Sequence, residues 1–187
     1  MREILTDLDL LTEGTLDLPS LQLDGVAFGA DTAQFPRHKI TEITHSPIVA
    51  RSRSGIDIEP EYFDRAGRRL SLDEVIDSVI NSSGMVHFAT YISFKIREGR
   101  IVGFALYGAQ LRHFDNLTTY ADFCRSFGAA DRVVPDEAYG DLMGYHHYYF
   151  GSRKCVAWSE FDRRVSLVNL GEYKGNDGSP APESEVA

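Results

Sequence analysis

The sequence lacks any long hydrophobic run. Its uninterrupted apolar stretches are a few residues each, far below the roughly 20 that a helix needs to cross a bilayer. The N-terminus, Met-Arg-Glu-Ile-Leu-Thr-Asp-Leu-Asp, places acids where a secretory signal has bases and then an apolar stretch. The expectation is no membrane association and a cytoplasmic location. Cysteine is scarce, with only Cys124 and Cys155. Neither has a Cys or His three or four residues away, which removes the short spacing of a zinc site. Each falls in an apolar pattern, so both are expected to be reduced and mostly buried. Also missing are a P-loop, a dinucleotide fingerprint and a Gly-x-Ser-x-Gly elbow. The Gly-rich text Gly103-Phe104-Ala105-Leu106-Tyr107-Gly108 lies in a strand pattern, without the helix that phosphate binding needs. No cofactor and no metal are expected.

What is present suits a packed domain. Hydrophobic residues make up 43% of the chain and aromatics 11%, enough to build a core and to set aside global disorder. The net charge of −9 is uneven: residues 1–24 hold six acids and one base, and residues 172–187 hold four acids and one base. An acidic chain repels phosphate backbones, so no nucleic-acid partner is expected. Arg51, Arg53, Arg65, Arg68 and Arg69 are the candidates for a local basic patch. A basic protein partner suits the overall charge better.

Along the chain, residues 1–24 read as an acidic, extended, partly docked lead-in that enters the fold near Leu21-Gln22-Leu23. Residues 25–173 read as one α+β domain, and 174–187 (KGNDGSPAPESEVA) as a disordered tail. Ser71-Leu72-Asp73-Glu74 is a capping box. Behind it Leu72, Val75, Ile76, Val79 and Ile80 take the spacing of one helix face, ending at Asn81-Ser82-Ser83-Gly84. A second helix is expected over about Leu117–Phe127, with Tyr120, Phe123, Cys124 and Phe127 as its stripe and Gly128 as its stop. Tyr91–Arg97 alternates on Ile92, Phe94 and Ile96. Glu98-Gly99 then turns the chain into Ile101–Tyr107, whose apolar set is Val102, Phe104 and Leu106. Arg132–Val134 is a brief strand, and Tyr145–Phe150, Lys154–Trp158 and Arg164–Leu170 form a meander. Shorter strands are expected at Ile40–Ile43, Ile48–Arg53, Ile56–Ile58 and in the hairpin Tyr62–Leu70. The fold class is α+β, an antiparallel sheet of hairpins and meander with two or three short helices packed on it. Val26–Asp31 echoes Ser126–Asp131, which raises the expectation of two related halves, with chance as the competing reading.

The segment from Thr118 to Gly171 combines three features. A helix ends in Phe127-Gly128-Ala129-Ala130-Asp131, an aromatic strand Tyr145-His146-His147-Tyr148-Tyr149 follows, and two strands return. This outline resembles the helix-then-meander unit of the β-lactamase-inhibitor-protein-like domains, also used by small outer-membrane assembly lipoproteins. Ala130 departs from the pattern, standing where that unit commonly has Pro, and the chain shows no lipoprotein cysteine. The resemblance implies a sheet that grips other proteins. In style, the small acidic chain is also similar to bacterial immunity proteins.

His146-His147 cannot bind one metal together, because neighbours on a strand point to opposite faces. An imidazole among tyrosines can be a general base, and is more often a hydrogen-bonded sheet residue. The segment Pro135-Asp136-Glu137-Ala138-Tyr139-Gly140-Asp141-Leu142-Met143-Gly144 puts three carboxylates, a Tyr and a Met beside the aromatic strand. Acids that steer and aromatics that anchor suit a protein interface; an ordinary solvated loop is the plainer reading. The expected partner-binding residues are Asp136, Glu137, Tyr139, Asp141, Tyr145, His147 and Tyr149. The expected function is a protein-binding module, of the immunity or inhibitor kind, that neutralises a toxin or enzyme by covering its surface. The alternative is a small enzyme with a site near His147 and the 135–144 loop. A structural or oligomerisation domain, including a homodimer, needs no site at all.

Overall fold

The computed structural model describes residues 1–44, 49–51, 61–136, 140 and 144–172. The expected strand Ile56–Ile58, the acidic-loop residues Glu137, Tyr139 and Asp141, and the tail 174–187 lie outside the described residues.

Two short three-stranded sheets flank a large one. The first joins β1 (Arg2–Glu3), β2 (Leu21–Leu23) and β3 (Val26–Ala27). The large sheet begins with β4 (Ile40–Thr44), and the second small sheet joins β5 (Val49–Arg51), β6 (Glu61–Phe63) and β7 (Arg69–Leu70). Then come α1 (Leu72–Ile80), β8 (Ser83–Phe88), β9 (Ile92–Arg97) and β10 (Arg100–Tyr107). After a 3-10 turn over Gly108–Phe114 come α2 (Tyr120–Phe127), β11 (Arg132–Pro135), β12 (Tyr145–Phe150), β13 (Lys154–Ser159) and β14 (Arg164–Gly171). The large sheet has eight strands in the order β11-β12-β13-β14-β10-β9-β8-β4, and every neighbouring pair is antiparallel. The fold is α+β with a dominant antiparallel sheet.

The helices follow their end signals. At α1 the Ser71 hydroxyl accepts from the Glu74 amide while the Glu74 carboxylate accepts from the Ser71 amide, which closes the capping box. Leu72, assigned to the buried stripe, is exposed instead because it precedes the first full turn of that face. The second helix starts at Tyr120, three residues later than the apolar pattern suggests. The Thr119 side chain accepts from the Asp122 amide and fixes the start there. Leu117 stays outside the helix, and its carbonyl accepts from Trp158 Nε1 at 3.3 Å.

The lead-in is a correction. Residues 1–24 are not simply extended: three 3-10 turns, at Ile4–Thr6, Leu8–Thr12 and Leu18–Ser20, fold the segment onto the core. Ile4, Leu10, Leu11, Leu18, Leu21 and Leu23 are all buried. Three-residue turns bring irregularly spaced leucines to one side, which neither helical nor strand periodicity reveals. The acids between them act as fasteners. The Glu3 carboxylate accepts from the amides of Leu5, Asp24 and Gly25 at 2.9–3.1 Å, and Glu13 pairs with Arg2.

The large sheet is built twice over. Its β8, β9 and β10 begin at residues 83, 92 and 100, and β12, β13 and β14 at 145, 154 and 164, offsets of 62, 62 and 64. The pairing repeats with them: Phe88 faces Ile92 as Phe150 faces Lys154. Even the irregularity repeats. Val102 is an extra residue in β10 between Ile101 and Gly103, and Ser166 is an extra residue in β14 between Val165 and Leu167. A bulge is a specific structural device, so its recurrence at matched positions carries more weight than strand count. The bulge also corrects the hairpin reading, because Ile101 takes the buried position expected of Val102. The two halves meet where β10 pairs with β14, around Ala105–Asn169. At that seam Gly103 pairs with Gly171, and a Cβ on either would stand within 2.6 Å of a backbone oxygen. The short echo of Val26–Asp31 in Ser126–Asp131 marks none of this. One segment holds a strand and the other the end of a helix.

One face of the sheet is the core. Phe35 packs on Phe88 and Phe94, Phe28 on Phe104, and Phe123 of α2 on Tyr148 and Trp158, with ring centroids 4.7–5.9 Å apart. Every ring contact that α2 and the N-terminal segment make with the sheet falls on this face. Ala105, Tyr149, Cys155 and Ala157 are buried too, yet they stand on the opposite face, outside that core cluster.

Candidate functional site

The opposite face carries no helix among the described residues, and its composition differs from strand to strand. In the middle strands small side chains (Ser93, Gly103, Ala105, Gly171, Cys155, Ala157 and Ser159), all of them buried, stand beside the larger Lys95, Tyr107, Leu167 and Asn169. The outer strands add Met85 and His87 on one side and Tyr145, His147 and Tyr149 on the other. The alternation of β12 puts Tyr148 into the core and Tyr145, His147 and Tyr149 together on this opposite face.

Of the seven expected partner-binding residues, four are described, and these four converge. Asp136 follows β11 directly, and its amide donates to the Tyr145 carbonyl at 2.9 Å. Its carboxylate accepts from His147 Nε2 at 2.9 Å, with both side chains about one-quarter exposed. Tyr145 is half-buried, and its hydroxyl donates to Asp162 while accepting from Arg164. Burial and the neighbouring Asp162 carboxylate both raise the Tyr145 phenol above its usual range. Tyr149 is a correction to the exposed aromatic row. It is only 6% exposed, because the Arg132 guanidinium lies over its ring, 4.1 Å from the centroid.

Two features escaped the sequence reading. Phe161, at the tip of the β13–β14 turn, is 77% exposed beside Asp162 and the Tyr145 network. A lone aromatic in a turn gives no periodic signal. The other is Cys155, whose sulfur lies 3.8 Å from His147 Nδ1. With Nε2–H donating to Asp136, Nδ1 presents its lone pair to the thiol, so Asp136 just past β11, His147 of β12 and Cys155 of β13 line up as carboxylate, imidazole and thiol. In this conformation the thiol is shut off: it is 2% exposed, and burial pushes it up to about 12.

The first half has its own histidine. His87 Nδ1 lies 2.7 Å from Ser93 Oγ and Nε2 lies 3.3 Å from Thr44 Oγ1. Burial lowers its pKa, which keeps the imidazole neutral.

Of the candidate basic patch, the Arg51 side chain and Arg53 lie outside the described residues, and two members are paired locally. Arg68 pairs with Asp64 and Glu74, and Arg69 with Glu61. Each sheet edge is blocked at one position. At β4 the Ile43 amide donates to the Tyr62 hydroxyl, and β11 ends in Pro135, which has no amide to offer. Among the described residues no group of three or more His, Cys, Asp or Glu side chains is placed to hold a metal ion, and no helix is long and apolar enough to cross a membrane. No protein-family model, curated protein or solved structure matches the chain.

Proposed function

We propose that this chain is a protein-binding module that neutralises a partner, a toxin or an enzyme, by covering its surface with the open face of the large sheet. The observation that supports this best is the gathering of the partly buried Tyr145, His147 and Asp136 on that face. Partly exposed polar aromatics beside a carboxylate have the chemistry of interface anchors. The guarded sheet edges favour docking by face over strand addition. The net charge of −9 favours a basic partner and faster encounter with it.

A small enzyme is the second reading. The Asp136–His147–Cys155 alignment favours it, and the closed, protonated thiol opposes it.

The test starts with the partner captured from source-cell lysate, identified, purified and measured for affinity. Tyr145→Ala combined with His147→Ala is expected to weaken binding about 30-fold or more, mainly through faster dissociation. Asp73→Ala, on the exposed side of α1, serves as the control and is expected to leave affinity unchanged. Equal affinity for all three proteins removes the open face as the docking surface.

A further inference from the structure

We propose that Cys155 is a capped, base-assisted thiol, which reacts with small carbon electrophiles when the Tyr149–Arg132 stack over it opens. The inference stands apart from the docking reading and rests on an arrangement that strand packing alone does not require. Cys155 and Tyr149 face each other across β13 and β12 on the face away from the core, and Arg132 of β11 pairs with Tyr149 from the next strand out. The guanidinium over the Tyr149 ring and the ring beside the sulfur form a lid, held by the cation–π contact above it and by the Tyr149 hydroxyl bonding to the Cys155 sulfur below. Beneath the lid His147 is already oriented. Asp136 takes its Nε2–H at 2.9 Å, leaving the Nδ1 lone pair 3.8 Å from the sulfur. That is the order of groups a thiol nucleophile needs: an orienting carboxylate, a base and sulfur. The first half sharpens the point. The residue matching Cys155 there is Ser93, which is also buried and also next to an imidazole, but its histidine has a hydroxyl where His147 has a carboxylate.

The step is S-alkylation. The thiol proton passes to His147 Nδ1, the sulfur lone pair attacks the electrophilic carbon, a C–S bond forms and the leaving group departs with the electrons of the broken bond. With the lid shut, burial holds the proton on sulfur and excludes the electrophile. Desolvation is the largest influence on this thiol and outweighs both the Tyr149 hydroxyl bond and the positive field of Arg132, which act the other way. Removing Arg132 therefore raises reactivity overall, although one favourable charge is lost.

The experiment uses the full chain with Cys124→Ser, so that one thiol reports, and iodoacetamide as the probe. Alkylation rates are read by intact mass from pH 6 to pH 9, alone, with Arg132→Ala, and with Arg132→Ala plus His147→Gln. Arg132 is exposed, so its removal leaves the core intact; a thermal melt of each variant verifies this. The expected results are a slow parent, an acceleration of tenfold or more on removing Arg132, and a fall of at least fivefold near pH 7 when His147 is also replaced. The last change should move the pH profile toward that of an ordinary thiol. A lid variant as slow as its folded parent overturns the lid, and a pH profile indifferent to His147→Gln overturns the base. Should the lid variant melt early, Tyr149→Phe, which keeps the ring but drops the hydroxyl, is run with and without His147→Gln, and the same His147 criterion decides.

Discussion

The two halves of the large sheet share a backbone and differ in what they put on it. Strands β8–β10 and β12–β14 repeat with the same pairings and the same bulge, yet Met85, His87 and Ser93 in one correspond to His147, Tyr149 and Cys155 in the other. On the core face the exchange is equally free: Phe94 corresponds to Val156, Ile96 to Trp158 and Ile92 to Lys154. Register and bulges thus carry the architecture, and side chains within it are replaceable as long as each face stays filled. On the second half the open face brings Asp136, His147 and Cys155 into line, an arrangement without a counterpart in the first half.

The sharpest way to break the comparison is to ask whether the halves melt together. Trp158→Ala and Phe94→Ala each delete a fully buried ring, and each is expected to cost about 3–5 kcal/mol. Trp158 stands at the upper end because its bond to the Leu117 carbonyl is lost as well. One core cluster runs through both halves, so urea titrations followed by far-UV circular dichroism should show a single transition in both variants. A two-step transition in either would show that the halves are separate cooperative units.

A smaller effect separates Lys154 from its counterpart Ile92. The lysine is 2% exposed between Phe127 and Phe150, and its ammonium donates to the Glu13 carbonyl at 2.8 Å. Burial lowers it to about 8. In the unfolded chain it keeps its proton to higher pH, so the unfolded state binds more protons above pH 8 and stability rises with pH there. From pH 9 Cys155 opposes this, since burial raises its folded pKa and the unfolded thiol ionises first. From pH 10 Tyr148, raised to about 12 chiefly by burial, opposes it too. The rise is therefore confined to about pH 8–9. Lys154→Met is expected to flatten urea midpoints measured across that window and to match or exceed the parent stability at pH 7. A parent midpoint that does not move between pH 8 and pH 9 would contradict the burial argument.

The smallest contrast is between the two helix starts. Ser71→Ala removes one side of a closed capping box and is expected to cost about 1 kcal/mol. At Thr119 the Asp122 carboxylate accepts chiefly from the Thr119 hydroxyl, at 2.7 Å, so Thr119→Ala removes both contacts and should cost slightly less than Ser71→Ala. Thermal melts rank the two; a larger loss at Thr119 would mean that its cap also positions Leu117 under Trp158.

Much of this frame was legible because strand alternation and capping are local. Ile92–Ile96, Tyr145–Phe150 and Ser71–Glu74 each announce their structure within a few residues. The N-terminal leucines were misread because 3-10 turns have no long period to detect. Val102 was misplaced because a bulge inserts a residue without altering composition. Of the site, the grouping of Tyr145 and His147 followed from alternation, and their nearness to Asp136 followed from sequence proximity. The meeting of Cys155 with His147 did not, since it depends on the pairing of β12 with β13 and on a diagonal across that pair. Likewise Arg132 reaches Tyr149 only through the pairing of β11 with β12.

The glycine pair at the seam has a consequence for how this chain can change over time. Gly171 adopts φ +83°, and a Cβ there would sit 2.4 Å from the Val102 carbonyl oxygen; at Gly103 one would sit 2.6 Å from that of Glu172. Neither position admits a side chain without prising β10 and β14 apart. Elsewhere one filler can be traded for another, as the different side chains at matched positions of the two halves illustrate. At the seam the only permitted letter is glycine, twice, 68 residues apart. Any descendant that keeps this fold inherits that spacing, give or take loop insertions, even after its open face has been rewritten for another purpose.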